Sequence, residues 1–507
     1  MKILSASQIK EADRYTIDSE PISSLDLMER AAGACVQSII KRHQGLRDFI
    51  VICGKGNNGG DGLAIARLLA AMEYRVQVFV LEYTDSASDD FMQNMERLKA
   101  QGKANITHAY TDEDIYLNKE SALIDAILGT GINKPTDGLI ASVIDKVNKS
   151  GNRPIAIDVP SGMSIDGPSA KRTSIIHASL TLTFQQPKLA FMFPESAEYV
   201  GEFEVLDIHL DTSFLKDTEC KYFYMRDSDI APMLRTRPKF SHKGTFGHSL
   251  LIAGSYGKMG AAVLSSMACL RSGTGLLTTH IPVCGYQVMQ TSLPEAMVSI
   301  DTGTEHISAM PADGNYASIG IGPGIGTEAA TVKILKKIIQ SVQVPMVIDA
   351  DALNIIGDNK TWIGFLPALT ILTPHPKEYD RLTNVHPDSW ERLESARALA
   401  QKHRIIIVLK GAYTAVTLPD GSVWFNSTGN PGLAKGGSGD VLTGIITALI
   451  ARGYGPHIAC TIGVYLHGLA ADIAAREINA EAMIASDIVS HLSAAFDHLY
   501  GYQQRTK

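Results

Sequence analysis

Two glycine-rich segments of this sequence carry acids and amides at positions where a phosphate group or a departing hydroxyl could be handled. Gly54-Lys55-Gly56-Asn57-Asn58-Gly59-Gly60-Asp61 follows the apolar run FIVIC and precedes LAIARLLAAM. Glycine N–H groups at a strand-to-helix junction bind anions. Its G-x-G-x-x-G subset, with Glu82 ending the next strand where a ribose-binding acid would stand, reads as a dinucleotide-binding turn. Two asparagines and Asp61 exceed what such a turn needs, and can hold a cation or a ligand amide. Gly436-Gly437-Ser438-Gly439-Asp440 runs into VLTGIITALIARG. There an Asp stands beside any phosphoryl group that the glycine amides would hold at a helix start.

Further acids close apolar strands. Asp125 in SALIDAIL leads to the loop GTGINKP (129–135), and RPIAIDVPSG brings Asp158 and Ser161. A carboxylate inside an apolar strand is costly unless paired or bound to a cation, so both acids are candidates for function. The pair Asp349 and Asp351 reads equally as catalytic or as loop-organising. His375 either lines a site or caps the helix after Pro376.

The elements that must position these groups alternate short β-branched runs with amphipathic helices, which predicts mostly parallel sheets covered by helices on both faces. In the first half the strands are FIVIC, RVQVFVL, SALIDAIL, RPIAIDV and LTLTF, with helices near 7–18, 24–43 and 63–72 and residues 54–62 as a turn. In the second, HSLLIAG, GLLTTHI, YASIGIG, VPMVIDA, TILT and RIIIVLK predict another parallel α/β domain. The alternation fails around 211–245, which places a boundary between domains 1–215 and 225–507. At 507 residues, 45% hydrophobic and 20% charged, the chain has a globular composition, and disorder, collagen and coiled coil are excluded. The net charge of −7 falls mostly on the first 220 residues and leaves no basic nucleic-acid footprint. Six dispersed cysteines without zinc spacing read as reduced thiols, and the charged start MKILSASQIKEADRYT as neither signal peptide nor membrane span. A cytoplasmic chain follows as the expectation.

The segments GKGNNGGDG, LGTGINKP, AIDVPSG and FQQPKLAFMFPE resemble the YjeF N-terminal family, the NAD(P)H-hydrate epimerases, over nearly all of residues 1–215. That resemblance implies a Rossmann-like domain that interconverts the R and S epimers of NAD(P)HX, the nicotinamide cofactor hydrated at C6. By position, Asn57, Asn58, Gly59, Gly60 and Asp61 would bind the dinucleotide. Gly129, Thr130, Gly131, Ile132, Asn133, Lys134 and Pro135 with Asp158 would complete the pocket. Asn58, Asp125 and Ser161 would hold K+. A C6 hydroxyl inverts if it leaves to give an iminium and water returns on the other face, and Asp158 is the expected acid/base.

GSGD before a helix resembles the ribokinase-like superfamily. GKMGAA, GIGPGIG, IDADALN, LTPHPKE, LKGAYT and NPGLAKGGSGDVLTG resemble its NAD(P)H-hydrate dehydratase branch, the YjeF C-terminal family, over about 230–495. By that resemblance Lys410, Gly411, Ala412, Tyr413, Thr414 and Gly439 would bind the adenine nucleotide. Ala262, Gly324, His375 and Asp440 would line the hydrate site, and Glu378 would organise Mg2+. Asp440 as base would let the C6 hydroxyl attack the terminal phosphoryl group, turning a poor leaving group into phosphate. ADP is the expected nucleotide, since fused family members use it, with ATP as the alternative. The expected partners are NAD(P)HX and the nucleotide, without nucleic acid or membrane, in a homo-oligomer. The rival readings are a hydroxymethylpyrimidine- or thiazole-type kinase fused to a dinucleotide-binding module, and a first domain that only senses ligand.

Overall fold

The run FIVIC forms β1 (Asp48–Cys53), and its side chains alternate between two buried faces. Phe49, Val51 and Cys53 pack with Leu63, Ile65 and Leu69, while Ile50 and Ile52 pack with Phe79, Leu123 and Val143. Each such side chain contributes about 1.5–3 kcal/mol by leaving water, which commits the strand to the middle of the sheet. In the computed structural model, which describes residues 1–131, 134–169 and 173–505, the chain divides into two units. One is Lys2–Cys220 and the other is Met1 with Lys221–Lys507.

In the first unit β1 is joined by β2 (Arg75–Leu81), β3 (Asn105–Ala109), β4 (Ala122–Ala126), β5 (Ile155–Ile157), β6 (Leu180–Phe184) and β7 (Glu202–Leu206). The order is β3-β2-β1-β4-β5-β6-β7, parallel throughout. This is a Rossmann-like sheet whose direction of winding reverses between β1 and β4, where ligand crevices form.

The segment read as a glycine turn is different. Asn57 to Gly62 are already helical, in Asn57–Ala71. The glycines serve close approach, not positive φ: a Cβ on Gly59 would stand 1.9 Å from Gly54 O, and one on Gly62 2.5 Å from Ala126 Cβ. Only glycine lets this helix start press against the strand ends.

The second unit holds β8 (Tyr222–Tyr224), β9 (His248–Ile252), β10 (Leu276–Ile281), β11 (Met297–Ile300), β12 (Ser318–Ile321), β13 (Met346–Ile348), β14 (Ile371–Leu372), β15 (Ile406–Leu409), β16 (Ala415–Thr417) and β17 (Val423–Phe425). The order is β11-β10-β9-β12-β13-β14-β15-β16-β17-β8. The sheet is mostly parallel, as expected, with one strand reversed: β16 runs antiparallel to both β15 and β17. The connections 410–414 and 418–422 are too short for a parallel crossover, so the chain turns back on itself. The stretch 211–245 also holds structure: a helix at Thr212–Asp217, and β8, which pairs with β17.

Helix Ser438–Ala451 is buried from Val441 onward and packs against Met259–Arg271 and Pro456–Glu477. A Cβ on Gly444 would stand 2.1 Å from Ser265 O, so that glycine sets the close crossing. Pro456–Glu477 is long and apolar enough to cross a membrane, and it lies mostly buried in this core. All six cysteines are free thiols.

Candidate active sites

The strand ends of the first unit open into a cavity of about 860 Å³ lined by Asn57, Asn58, Asp61, Gly129, Thr130, Gly131, Lys134, Pro135, Asp158 and Lys188. That volume suits a nucleotide-sized ligand. Ile132 and Asn133 lie outside the described residues.

Asp125, at 2% exposure, accepts from Ser161 Oγ (2.6 Å) and N (2.9 Å) and from Ile127 N (3.2 Å). Ser161 Oγ accepts from Leu128 N at 2.9 Å, and Asn58 Nδ2 donates to Leu128 O at 2.9 Å. The three residues expected to share a cation are thus joined through Leu128. Burial, opposed by the Ser161 and Ile127 hydrogen bonds, pushes Asp125 up to about 6. Among the described residues no Lys or Arg pairs with it. The donors are all oxygen, the set that a hard monovalent cation takes.

Asp158 follows β5 with a left-handed φ of 64°, a strained conformation for an Asp. Its carboxylate accepts from Lys188 Nζ at 2.8 Å and from Phe184 N at 3.1 Å. Lys188 is fully buried. Asp13, from the helix Ala6–Ser19, enters the same cavity. Burial and the charge of Asp158, opposed by Lys188, push its carboxyl up to about 6. Asp61 is buried beside these acids; burial, then Asp158, Asp13 and Asp90, push it well above the carboxylate range. Glu82 is instead tied to Lys55 and His108. Burial raises that acid, but both partners outweigh it and hold it below the usual range.

In the second unit the strand ends converge on helix Ser438–Ala451. Gly437, at φ 96°, turns the chain into it. His467 Nε2 lies 2.9 Å from Ser438 O; burial brings its ring down to about 4, so it is neutral and donates to that carbonyl. Asp440 sits in the first turn. Burial and then Asp349, opposed by Lys410, push Asp440 up to about 7, the value a base working at neutral pH needs. Lys410 Nζ lies 2.9 Å from Asp349 Oδ1 and 3.7 Å from Glu378 Oε2. Burial alone would lower Lys410, but these two acids outweigh it. A Cβ on Gly439 would meet Lys410 Nζ at 3.4 Å, so this helix start and the lysine share one place.

His375 caps the helix Pro376–Leu382: its Nδ1 accepts from Glu378 N, and its own N–H donates to Glu378 Oε2 at 2.8 Å. Burial, opposed by Lys410, raises Glu378. Asp351 organises loops, accepting from Gly326 N at 2.9 Å and pairing with Lys258. Gly324, at φ 62°, lies against Lys258, and Ala262 is buried with Leu251, Ala253 and Met259. Thr414 closes the turn from Gly411 at 3.0 Å, with Ala412 and a half-buried Tyr413 inside it. Among the described residues no three His, Cys, Asp or Glu side chains group to hold a metal.

Sequence reasoning missed Asp13, Lys188 and His467. Lys188 stood inside FQQPKLAFMFPE, but its partner Asp158 is 30 residues away and only the fold joins them.

The YjeF-related protein N-terminus profile matches residues 24–190, and the NAD(P)H-hydrate dehydratase profile matches 249–493. A bifunctional NAD(P)H-hydrate repair enzyme of Moorella thermoacetica is 36% identical over 97% of this chain and 96% of its own. Its Escherichia coli counterpart is 31% identical over 96% and 92%. The crystal structure of an ADP/ATP-dependent NAD(P)H-hydrate dehydratase from Bacillus subtilis, co-crystallised with ATP and Mg2+, covers 55% of this chain and 98% of that one, with 31% identity and a TM-score of 0.48. Two α/β units, each with acids gathered at its strand ends, and full-length relatives of this kind place the chain in the family of bifunctional NAD(P)H-hydrate repair enzymes.

Proposed function

We propose that the chain performs both halves of nicotinamide-cofactor repair. The first unit epimerises R- and S-NAD(P)HX, and the second converts S-NAD(P)HX to NAD(P)H while ADP becomes AMP and phosphate. The observation that carries this is Asp440 at an amide-rich helix start, poised near neutrality beside the Lys410–Asp349 pair.

In the second unit Asp440 takes the proton of the C6 hydroxyl as its oxygen attacks the terminal phosphoryl group of ADP, and AMP leaves. The C6–O bond then breaks with its electron pair going to phosphate, N1 supplies electrons to C6, and C5 releases a proton to give the C5–C6 double bond. Lys410 and the amides of the Ser438–Ala451 start receive phosphate charge. Mg2+, held by Glu378 and the phosphates, would neutralise charge on the nucleotide. In the first unit the cavity holds the dinucleotide, and Asp158 exchanges the proton that departs and returns with the hydroxyl. Asn58, Asp125 and Ser161 would hold K+, whose charge offsets the buried Asp125 carboxylate. We place the chain in the cytoplasm, where its six free thiols stay reduced.

Proton NMR of the C6 signals of both NADHX epimers tests the reading. Both signals should disappear with ADP and Mg2+, with NADH and AMP accumulating. Accumulation of a phosphorylated product without NADH would identify a small-molecule kinase instead.

A further inference from the structure

We propose that epimerisation in the first unit uses two carboxyls: Asp61 donates a proton to the departing C6 hydroxyl, and Asp158, paired with Lys188, takes the proton of the water that returns. The inference rests on the epimerase reading above and divides its acid/base work between two residues.

Both side chains line the one cavity, yet their surroundings are opposite. Asp158 Oδ1 receives Lys188 Nζ at 2.8 Å, Phe184 N at 3.1 Å and Thr183 Oγ1 at 3.3 Å. Lys188 is 1% exposed, and its remaining contacts are the carbonyls of Phe184 and Gln186. Among the described residues its one ion pair is therefore with Asp158, and its charge also acts on Asp13. Asp61 is 9% exposed, and no hydrogen bond or ion pair among the described residues reaches its carboxyl.

The groups that face Asp61 are acids from three other elements: Asp158 beyond β5, Asp13 on Ala6–Ser19 and Asp90 on Asp89–Gln101. The thiol of Cys35, on Ser24–Arg42, is also near. Lys10, Arg14 and Lys134 also line the cavity, and none pairs with Asp61 among the described residues. A largely buried carboxylate with no hydrogen-bond donor or ion pair among the described residues avoids the cost of that burial by keeping its proton. A carboxyl without a hydrogen-bond donor beside one ion-paired to a buried lysine is an arrangement that separates an acid from a base.

The bonds balance without a redox partner. Asp61 gives its proton to the C6 oxygen, the C6–O bond breaks with its electron pair, and water leaves as the N1 lone pair forms the C6–N1 iminium. The new Asp61 carboxylate opposes the iminium charge. Water adds to the other face of C6, the electron pair returns to N1, and the released proton goes to Asp158. Solvent then carries that proton back to Asp61. The opposite epimer is processed by the reverse path, with the two acids exchanging roles.

The test measures kcat and KM for NADHX epimerisation by the full chain, above the uncatalysed rate and without nucleotide. Asp61→Asn should lower kcat about 100-fold or more, the weight of a general acid, with KM changed less than about threefold. Asp61→Glu should restore part of the rate. A raised KM with kcat retained would make Asp61 a binding residue only and overturn the proposal, as would wild-type kinetics. Should Asp61→Asn fail to fold, the wild-type profile decides: kcat must fall toward alkaline pH as Asp61 loses its proton, and a flat or rising profile overturns the assignment. In 18O-labelled water both epimers should gain label at C6. A wild-type chain that never interconverts the epimers would remove the epimerase reading itself.

Discussion

Lys410 holds its ammonium 2.9 Å from Asp349 Oδ1, joining the end of β15 to the end of β13. Asp349 Oδ2 accepts from Thr443 at 2.8 Å, one turn beyond Asp440 on the same helix. One buried carboxylate therefore holds both the cation and the helix that carries the base. Asp349→Asn should destabilise the second unit by about 3 kcal/mol, the lower end for a broken buried pair because Lys410 is partly exposed, and should raise the KM for nucleotide. Denaturant unfolding and dehydratase kinetics check this, and unchanged values for both would reduce Asp349 to a bystander.

Asp440→Asn should lower nucleotide-dependent dehydration by about 10² to 10⁴, because an amide takes no proton. Epimerisation should persist. The base works only when deprotonated and its carboxyl is pushed up to about 7. Dehydration should therefore fall about tenfold per unit as pH drops below that value. A dehydratase rate independent of pH between 5 and 7 would count against Asp440 as the base.

Asp125→Ala should weaken dinucleotide binding in the first unit and remove any dependence of epimerisation on K+. The carboxylate is buried with Ser161 and lacks a cationic partner among the described residues. Titration of epimerase activity with KCl in a sodium buffer checks it, with dehydration as the internal control. A mutant with the wild-type potassium response would leave Asp125 as a structural acid.

Gly59→Ala tests the helix start. Its Cβ would land 1.9 Å from Gly54 O, a backbone atom that cannot move aside alone, so the first unit should lose about 3 kcal/mol. Differential scanning calorimetry should show that loss, with dehydratase activity kept. A wild-type melting profile would show that the junction is looser than the contact implies.

A fragment of 221–507 should dehydrate S-NADHX and leave R-NADHX largely unconsumed. One starting at 225 should be less stable, because it lacks β8 and the stacking of Phe223 on Trp424, with ring centroids 4.5 Å apart. Thermal melts of both fragments decide this. Equal consumption of both epimers by the longer fragment would remove the epimerase from the first unit.

The sequence by itself determined the central strands and the helix start at Ser438, whereas the first helix begins at Asn57, inside the segment read as a turn. Runs such as FIVIC and HSLLIAG are buried on two faces, so composition alone marks them. The strands toward the ends of the sheets were not legible. β3 is half exposed and β16 and β17 have three residues each, too short to show a period. The strand ends named Asp125 and Asp158, and the glycine-rich helix start named Asp440, because an acid bordering an apolar run stands out in one dimension. Only the tertiary structure decided their partners. Asp13, Asp61, Asp158 and Lys188 come from separate elements spread over 176 positions of the chain, and the sheet brings them to one cavity. Charge and burial there depend on neighbours in space, so Asp61, with no partner among the described residues, and Asp158, paired with Lys188, look alike in sequence and differ in chemistry.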